Sequence, residues 1–281
     1  MHAKQKNRRI KIGDILLALL CILFLLIIAG CSYNIFYKLF EYKESKDSYT
    51  ALSEQFVIQT GNAPAEASAG KAYQGKQCPE DTTVPDAVSD NSLFPIEVDF
   101  ENLLNENDDV VGWLYKPDTY LNYPVVQGED NKQYLHTLLN GNYNYGGTIF
   151  LDSHCAPDFS YRNSILYGHN MTDNTMFRPL LLYKHQEYYD KNPYMYLATP
   201  TRNYRIAIFA CEITKSESDI YSFVFADDDS FEKWFTKVKE QSLISTDIIP
   251  TRQSKIITMS TCSYEFSDAR TVVLGVLQPY I

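Results

Sequence analysis

The chain is short of the features that mark several functional classes. Its 281 residues carry 25 Lys and Arg against 35 Asp and Glu, a formal net charge of -10. Nucleic-acid binding depends on Lys and Arg that neutralise phosphates, so this balance argues against such a partner. Six cysteines stand at 21, 31, 78, 155, 211 and 262 with no CxxC pair, and only Cys155 has a histidine beside it, His154. That spacing does not build a zinc site. Two of the six fall in an apolar N-terminal run and Cys78 lies in a polar stretch; the three that remain are an odd number, which argues against a disulfide framework and leaves a free thiol. No dense acidic loop suggests calcium, because Asp227-Asp228-Asp229 reads as a helix start. No metal and no cofactor are expected, and no internal repeat interrupts the second half.

The N-terminus is rich in what the rest lacks. Lys4, Lys6, Arg8, Arg9 and Lys11 precede residues 15–31, which hold no charged or amide side chain. A stretch of about 17 residues is the lower limit for crossing a bilayer as a helix. Positive charge before the span keeps the N-terminus in the cytoplasm and places the remainder outside. A cleaved signal peptide competes, and Ile28-Ala-Gly-Cys31 also has the form of a lipoprotein box. The uncleaved single-pass anchor is preferred because Tyr33, Phe36, Tyr37 and Phe40 continue a helical pattern past the span. Residues 61–92 are Ala, Gly, Ser, Pro, Asp and Glu with almost no large apolar side chain, a composition that cannot bury enough surface to fold. The expected organisation is thus a tail and anchor over 1–32, a juxtamembrane helix and tether over 33–92, and one folded domain over 93–281.

That domain holds most of the 22 Tyr and 15 Phe. After a short helix at Phe100, Leu103 and Leu104, strand-like segments recur at 110–115, 121–126, 148–151, 164–167, 194–198, 204–213, 255–260 and 271–277. Eight short strands with intervening loops predict a mainly β fold, a closed or nearly closed eight-stranded barrel. Two helices are expected between strands. One covers 130–139, with Tyr134, Leu135, Leu138 and Leu139 on one face; the other covers 230–241, in the connection between strands six and seven, with Phe231, Trp234, Phe235 and Val238 at helical spacing and Asp229 and Glu232 as a capping box.

Three residues stand at strand ends. Cys262 closes the seventh strand, Arg270 opens the eighth, and His169 follows Ser164-Ile-Leu-Tyr-Gly168 where the fourth strand runs into a polar loop. Taken singly each has an ordinary explanation: a small core thiol, a solvated strand-edge charge, a surface imidazole. Cys155 and Cys211 fit that ordinary role better than Cys262, while His136 and His185 sit in helical segments. Together the three supply a nucleophile, an acid/base and a fixed donor that cannot itself lose a proton, a complete set for acyl transfer.

The order His169, then Thr258-Met-Ser-Thr-Cys262, then Arg270 resembles the sortases, the cysteine transpeptidases of Gram-positive cell surfaces, whose signature is close to TLxTC. Met259 replaces the usual Leu, a swap that conserves volume. The similarity extends through Val110-Val-Gly-Trp-Leu114, Tyr123-Pro-Val-Val-Gln127, Gly147-Thr-Ile-Phe-Leu-Asp152 and Leu166-Tyr-Gly-His-Asn-Met171, and the later segments resemble class B in particular. The resemblance implies a sortase barrel in which Cys262 attacks the Thr carbonyl of a C-terminal sorting signal of NPxTN or PxTG type, His169 shuttles the amine proton and Arg270 stabilises the oxyanion. It implies substrate contacts at Asn131, Leu135, Ser260, Ile220 and Tyr221. The implied partners are surface proteins bearing the signal, a peptidoglycan amine and the membrane. Where family members often carry an acidic residue after the cysteine, this chain has Ser263. The alternatives are a pilin-polymerising enzyme, a cell-wall cysteine peptidase, whose cysteine precedes its histidine, and a non-catalytic lipoprotein tethered through Cys31.

Overall fold

The computed structural model describes residues 12–60 and 93–280. The basic tail, the tether over 61–92 and Cys78 lie outside the described residues. The chain divides into two compact units, Met1–Glu44 and Ser45–Ile281. Helix α1 runs from Ile12 to Phe56. In the first unit Leu20, Leu23, Phe24 and Ile27 are all exposed, as are Tyr33, Phe36, Tyr37 and Phe40. Among the described residues α1 is the one helix long and apolar enough to cross a membrane.

The expected boundary at residue 93 shifts. The last turns of α1 belong to the larger unit, where Tyr49 and Phe56 are only 3% exposed. Tyr49, Leu52 and Phe56 share one helical face among Ser, Lys, Glu and Gln, a stripe too sparse to stand out against the polar background. Beyond α1, β1 (Val57–Gln59) pairs antiparallel with β2 (Ile96–Val98), which leads into α2 (Phe100–Glu106), capped by the Asp99 carboxylate on the Asn102 amide.

The remaining strands are β3 (Val110–Tyr115), β4 (Asn122–Val126), β5 (Ile149–Leu151), β6 (Asn163–Tyr167), β7 (Tyr194–Ala198), β8 (Asn203–Lys215), β9 (Ile256–Cys262) and β10 (Ala269–Pro279). They close into a barrel in the order β10-β8-β7-β3-β4-β5-β6-β9. This is the eight-stranded barrel that the sequence predicts, and each strand lies within two residues of its expected place. Closure depends on pairings between strands that are not consecutive in the chain, β3 with β7, β8 with β10 and, in parallel, β6 with β9.

Between β7 and the polar loop that follows β6 lies α3 (Gln186–Lys191), preceded by a 3-10 stretch, Arg178–Lys184. Helix α4 (Asp228–Gln241) fills the β8–β9 connection and seals one flank of the barrel. Its Phe231, Trp234, Phe235 and Val238 are buried with Phe209, Ile256, Val272 and Leu274. Each fully buried aromatic or aliphatic side chain contributes about 1.5–3 kcal/mol. The cap of α4 is Asp227, whose carboxylate accepts from Ser230 N, so the helix begins before the expected Asp229.

The helix expected over 130–139 is a single 3-10 turn, Gln133–Leu135. The competing signal is Asn140-Gly141. Gly141 takes a left-handed φ of 83° and closes a tight loop in which Leu138 N donates to Asn142 O and Thr137 bridges Tyr143. Those backbone groups are then unavailable to a helix. Tyr134, Leu138 and Leu139 are still buried, so the apolar pattern holds while the helical period does not.

Candidate active site

Strands β6, β9 and β10 are neighbours, and their geometry brings the three strand-end residues to one rim. β9 runs parallel to β6 with Tyr167 opposite Ser260. β10 runs antiparallel to β9 with Arg270 opposite Cys262, so β10 starts where β9 ends. Side chains extend the β6–β9 ladder past its last strand residues. Thr261 Oγ1 donates to Gly168 O at 2.8 Å and Asn170 Nδ2 donates to Cys262 O at 2.8 Å. His169 is thereby held level with Thr261 and Cys262. Gly168 is required here for packing: a Cβ on it would lie 2.7 Å from the Phe177 ring.

A cavity of about 300 Å³ opens at this rim, lined by His169, Cys262 and Arg270 together with Asn131, Leu135, Tyr221, Ser260 and Thr148. Cys262 is exposed, whereas Cys155 and Cys211 are buried. Burial pushes the Cys155 thiol up to about 11 and the Cys211 thiol up to about 12, so neither forms a thiolate readily.

His169 Nε2 lies 2.8 Å from Leu135 O. A carbonyl only accepts, so Nε2 carries the proton and Nδ1 is the nitrogen left to exchange one. Burial holds the His169 pKa below its ordinary 6.5; the Leu135 carbonyl opposes the shift and nearby His136 adds to it. Arg270 Nη2 meets Asp268 Oδ1 at 2.9 Å and Nη1 donates to Ala269 O at 3.1 Å, which orients the guanidinium over the rim. Asp268 also accepts from Ser216 N and Oγ, and these bonds, with Arg270, hold its carboxyl below the usual range.

The remaining predicted residues divide. Tyr221 Oη and Ser260 Oγ are 2.8 Å apart, closing one wall, and burial pushes the Tyr221 phenol up to about 12. Asn131 lines the cavity while its Oδ1 accepts from Ser153 N and its Nδ2 donates to Asp152 Oδ2. One Nδ2 proton and one lone pair of Asn131 are left over from those two bonds. Leu135 lines the cavity and gives its carbonyl to His169. Ile220 is a correction: it is 2% exposed and packs in the α4 core cluster. The 3-10 turn Asp219–Tyr221 turns adjacent side chains about 120° apart, so only Tyr221 faces the cavity.

Sequence reasoning missed four contributors. His136 and Tyr145 stack on His169, Asn170 holds the Cys262 carbonyl, and Asp268 orients Arg270. Asn170 and Asp268 stand one and two residues from predicted site residues. His136 was concealed by the helix expected over 130–139.

Comparison with known proteins agrees with this geometry. A family model described as "Sortase domain" matches residues 114–278. Sortase B of Listeria monocytogenes is 32% identical over 194 residues, covering 68% of this chain and 79% of that protein. Sortase B of Staphylococcus aureus is 33% identical over 178 residues, 63% of this chain and 73% of that protein. A crystal structure of the Staphylococcus aureus enzyme superposes with a TM-score of 0.62 at 32% identity, covering 65% of this chain and 87% of that one. A Staphylococcus aureus sortase B-substrate complex gives a TM-score of 0.61 at 32% identity, covering 63% of this chain and 83% of that one. With family model, relatives and barrel in agreement, the chain belongs to the sortases, as a cysteine transpeptidase of class B.

Proposed function

We propose that Cys262, His169 and Arg270 are the catalytic residues, and that the enzyme cleaves a C-terminal sorting signal of NPxTN or PxTG type after its Thr. The Cys262 thiol passes its proton to His169 Nδ1 as the sulfur adds to the Thr carbonyl carbon. The oxyanion forms beside the fixed Arg270 donors, and His169 delivers a proton from Nδ1 as the C–N bond breaks and the C-terminal fragment leaves as an amine. The protein remains as a thioester on Cys262. An incoming peptidoglycan amine then attacks, losing its proton to His169, and the sulfur leaves as the new amide forms. Asn131, Leu135, Tyr221 and Ser260 line the groove for the signal.

The observation that carries this reading is the convergence of an exposed thiol, a half-buried imidazole and an anchored guanidinium on one cavity. The sortase B of Staphylococcus aureus has been crystallised with its substrate, and a sortase B has been crystallised with triglycine; both support a peptide signal and an amine acceptor for this chain too. The apolar helix α1 and the basic residues before it support an anchored enzyme with its barrel outside the membrane. Incubating the full chain in detergent micelles with an NPxTN-type peptide and triglycine tests the proposal. Mass spectrometry should find a thioester on Cys262 and a triglycine amide of the peptide. Products that persist in Cys262→Ala would refute it.

A further inference from the structure

Among the groups near the cavity, His136 is a titratable ring that the proposed chemistry leaves without a task. Its ring centroid lies 5.2 Å from that of His169 with the planes 23° apart. Tyr145 completes a three-ring cluster, 5.5 Å from each imidazole and stacked on both. His136 Nδ1 is 3.2 Å from Tyr145 O. That carbonyl accepts, so Nδ1 of His136 carries a proton in either charge state. The exposed Tyr143 ring, 5.8 Å away, backs His136 on its outer side.

Two adjacent residues thus grip the same imidazole in different ways. The Leu135 carbonyl holds the Nε2 edge of His169, and the next side chain, His136, lies against its face. An edge contact alone fixes one nitrogen and leaves the ring free to tilt about that bond. A face contact removes the tilt. Resting on the reading of His169 as the acid/base, we propose that His136 is a positioning residue that holds the His169 ring at the angle from which Nδ1 serves the thiol and the amine.

His136 differs from an apolar clamp in that it can become charged. The titratable or charged groups around the pair are Tyr143 and Tyr145 from the 141–148 loop and, lining the cavity with His169, Tyr167, Tyr221, Cys262 and Arg270. Positive charge on His136 would oppose positive charge on His169 across the 5.2 Å stack, the direction in which His136 shifts the His169 pKa. The clamp restrains His169 at neutral pH and makes it harder to protonate in acid.

The test compares His136→Ala and His136→Phe in the full chain in detergent, with His169→Ala as control. The peptide-cleavage rate is followed against pH, and the imidazole carbons and nitrogens of ¹³C/¹⁵N-histidine-labelled protein are titrated by NMR. Losing the stack should lower kcat about tenfold in His136→Ala with little change in KM, since an aromatic pair accounts for roughly one decade of rate. His136→Phe should recover most of that loss. The His169 titration should move upward in both variants, because both remove the neighbouring imidazole, while its Nε2-protonated tautomer, set by the Leu135 carbonyl, persists in both. Wild-type rates and an unmoved His169 titration in both variants would overturn the proposal while leaving the catalytic assignment intact. An active His169→Ala would instead remove the assignment on which it rests. Should His136→Ala not fold, an unmoved titration in His136→Phe still overturns the proposal.

Discussion

Arg270 and Cys262 are directly opposed partners on the antiparallel β9–β10 ladder. Such partners point to the same face with Cβ atoms about 4.5–5.5 Å apart, so the pairing register itself sets the guanidinium beside the thiol. Asp268 then fixes its direction. A lysine at 270 keeps the charge but loses the rigid fork, and its single ammonium cannot hold Asp268 and an oxyanion together. Arg270→Lys should lower kcat by about 10²–10³ with a smaller change in KM, the usual cost of one oxyanion donor. Asp268→Ala, which leaves the arginine but frees it, should show an intermediate loss. Steady-state peptide cleavage distinguishes the three proteins, and equal rates would remove Arg270 from the mechanism.

The residues that bring chemistry to the rim were legible because strands carry a short, strong signal. β3, β7 and the ends of β6 and β9 are bounded by β-branched and aromatic runs, and the residue following such a run must sit at a rim. What could not be read was non-local. The parallel β6–β9 pairing depends on residues about 90 apart, Gly168 with Thr261 and Asn170 with Cys262, and no period within either strand encodes it. The 130–139 segment failed for a local reason: a Tyr, Leu, Leu, Leu pattern suits both a helix and a tight loop, and the turn at Gly141 decided between them. With that helix went His136 and the Leu135 carbonyl.

Gly147 sits where this loop meets the strand that follows. Its φ is 55°, and a Cβ there would lie 2.4 Å from both Leu135 O and Tyr134 O. These are backbone atoms that cannot swing aside, and one of them is the acceptor for His169. Gly147→Ala should therefore cost about 1–3 kcal/mol from the left-handed backbone alone. It should also displace the Leu135 carbonyl, so that protein that does fold loses at least about tenfold in kcat. Circular dichroism melting and peptide cleavage on the same sample separate the two effects. A stable, fully active alanine variant would show that the Leu135 carbonyl does not hold the His169 ring.

Tyr49 connects the last turns of α1 to the same loop. Its buried hydroxyl donates to Gly147 O at 2.6 Å and lies 2.8 Å from Thr148 Oγ1, while its ring meets Tyr123 edge-on at 5.1 Å. Tyr49→Phe keeps the ring and removes both polar contacts, leaving the Gly147 carbonyl without that donor in an apolar setting. The expected loss is about 1–3 kcal/mol. For a unit of this size each kcal/mol lowers Tm by about 2–4 °C. Calorimetry at one pH checks the figure. Residues 45–60 are thus part of the larger unit, and a protein begun at residue 93 should melt lower still.

The acid response follows from the burial of His169. Its pKa lies below 6.5 when folded and near 6.5 when unfolded, so between those values the unfolded chain binds more protons. Stability is accordingly retained above pH 6.5 and lost as the pH falls toward the folded pKa. Activity has the same origin. In the proposed mechanism one exchangeable proton is shared between His169 Nδ1 and the Cys262 sulfur, so kcat/KM should trace a bell whose limbs belong to the pair. The acid limb marks a second exchangeable proton entering the pair and should fall below pH 6.5, because desolvation in the cavity disfavours the charge this places on His169. A profile measured from pH 4.5 to 9.5 at constant ionic strength, beside Tm over the same range, tests both halves. If the acid limb lies above 6.5, the imidazole must gain more from a partner than it loses by burial, and the half-buried site would have to be stabilising the charged ring.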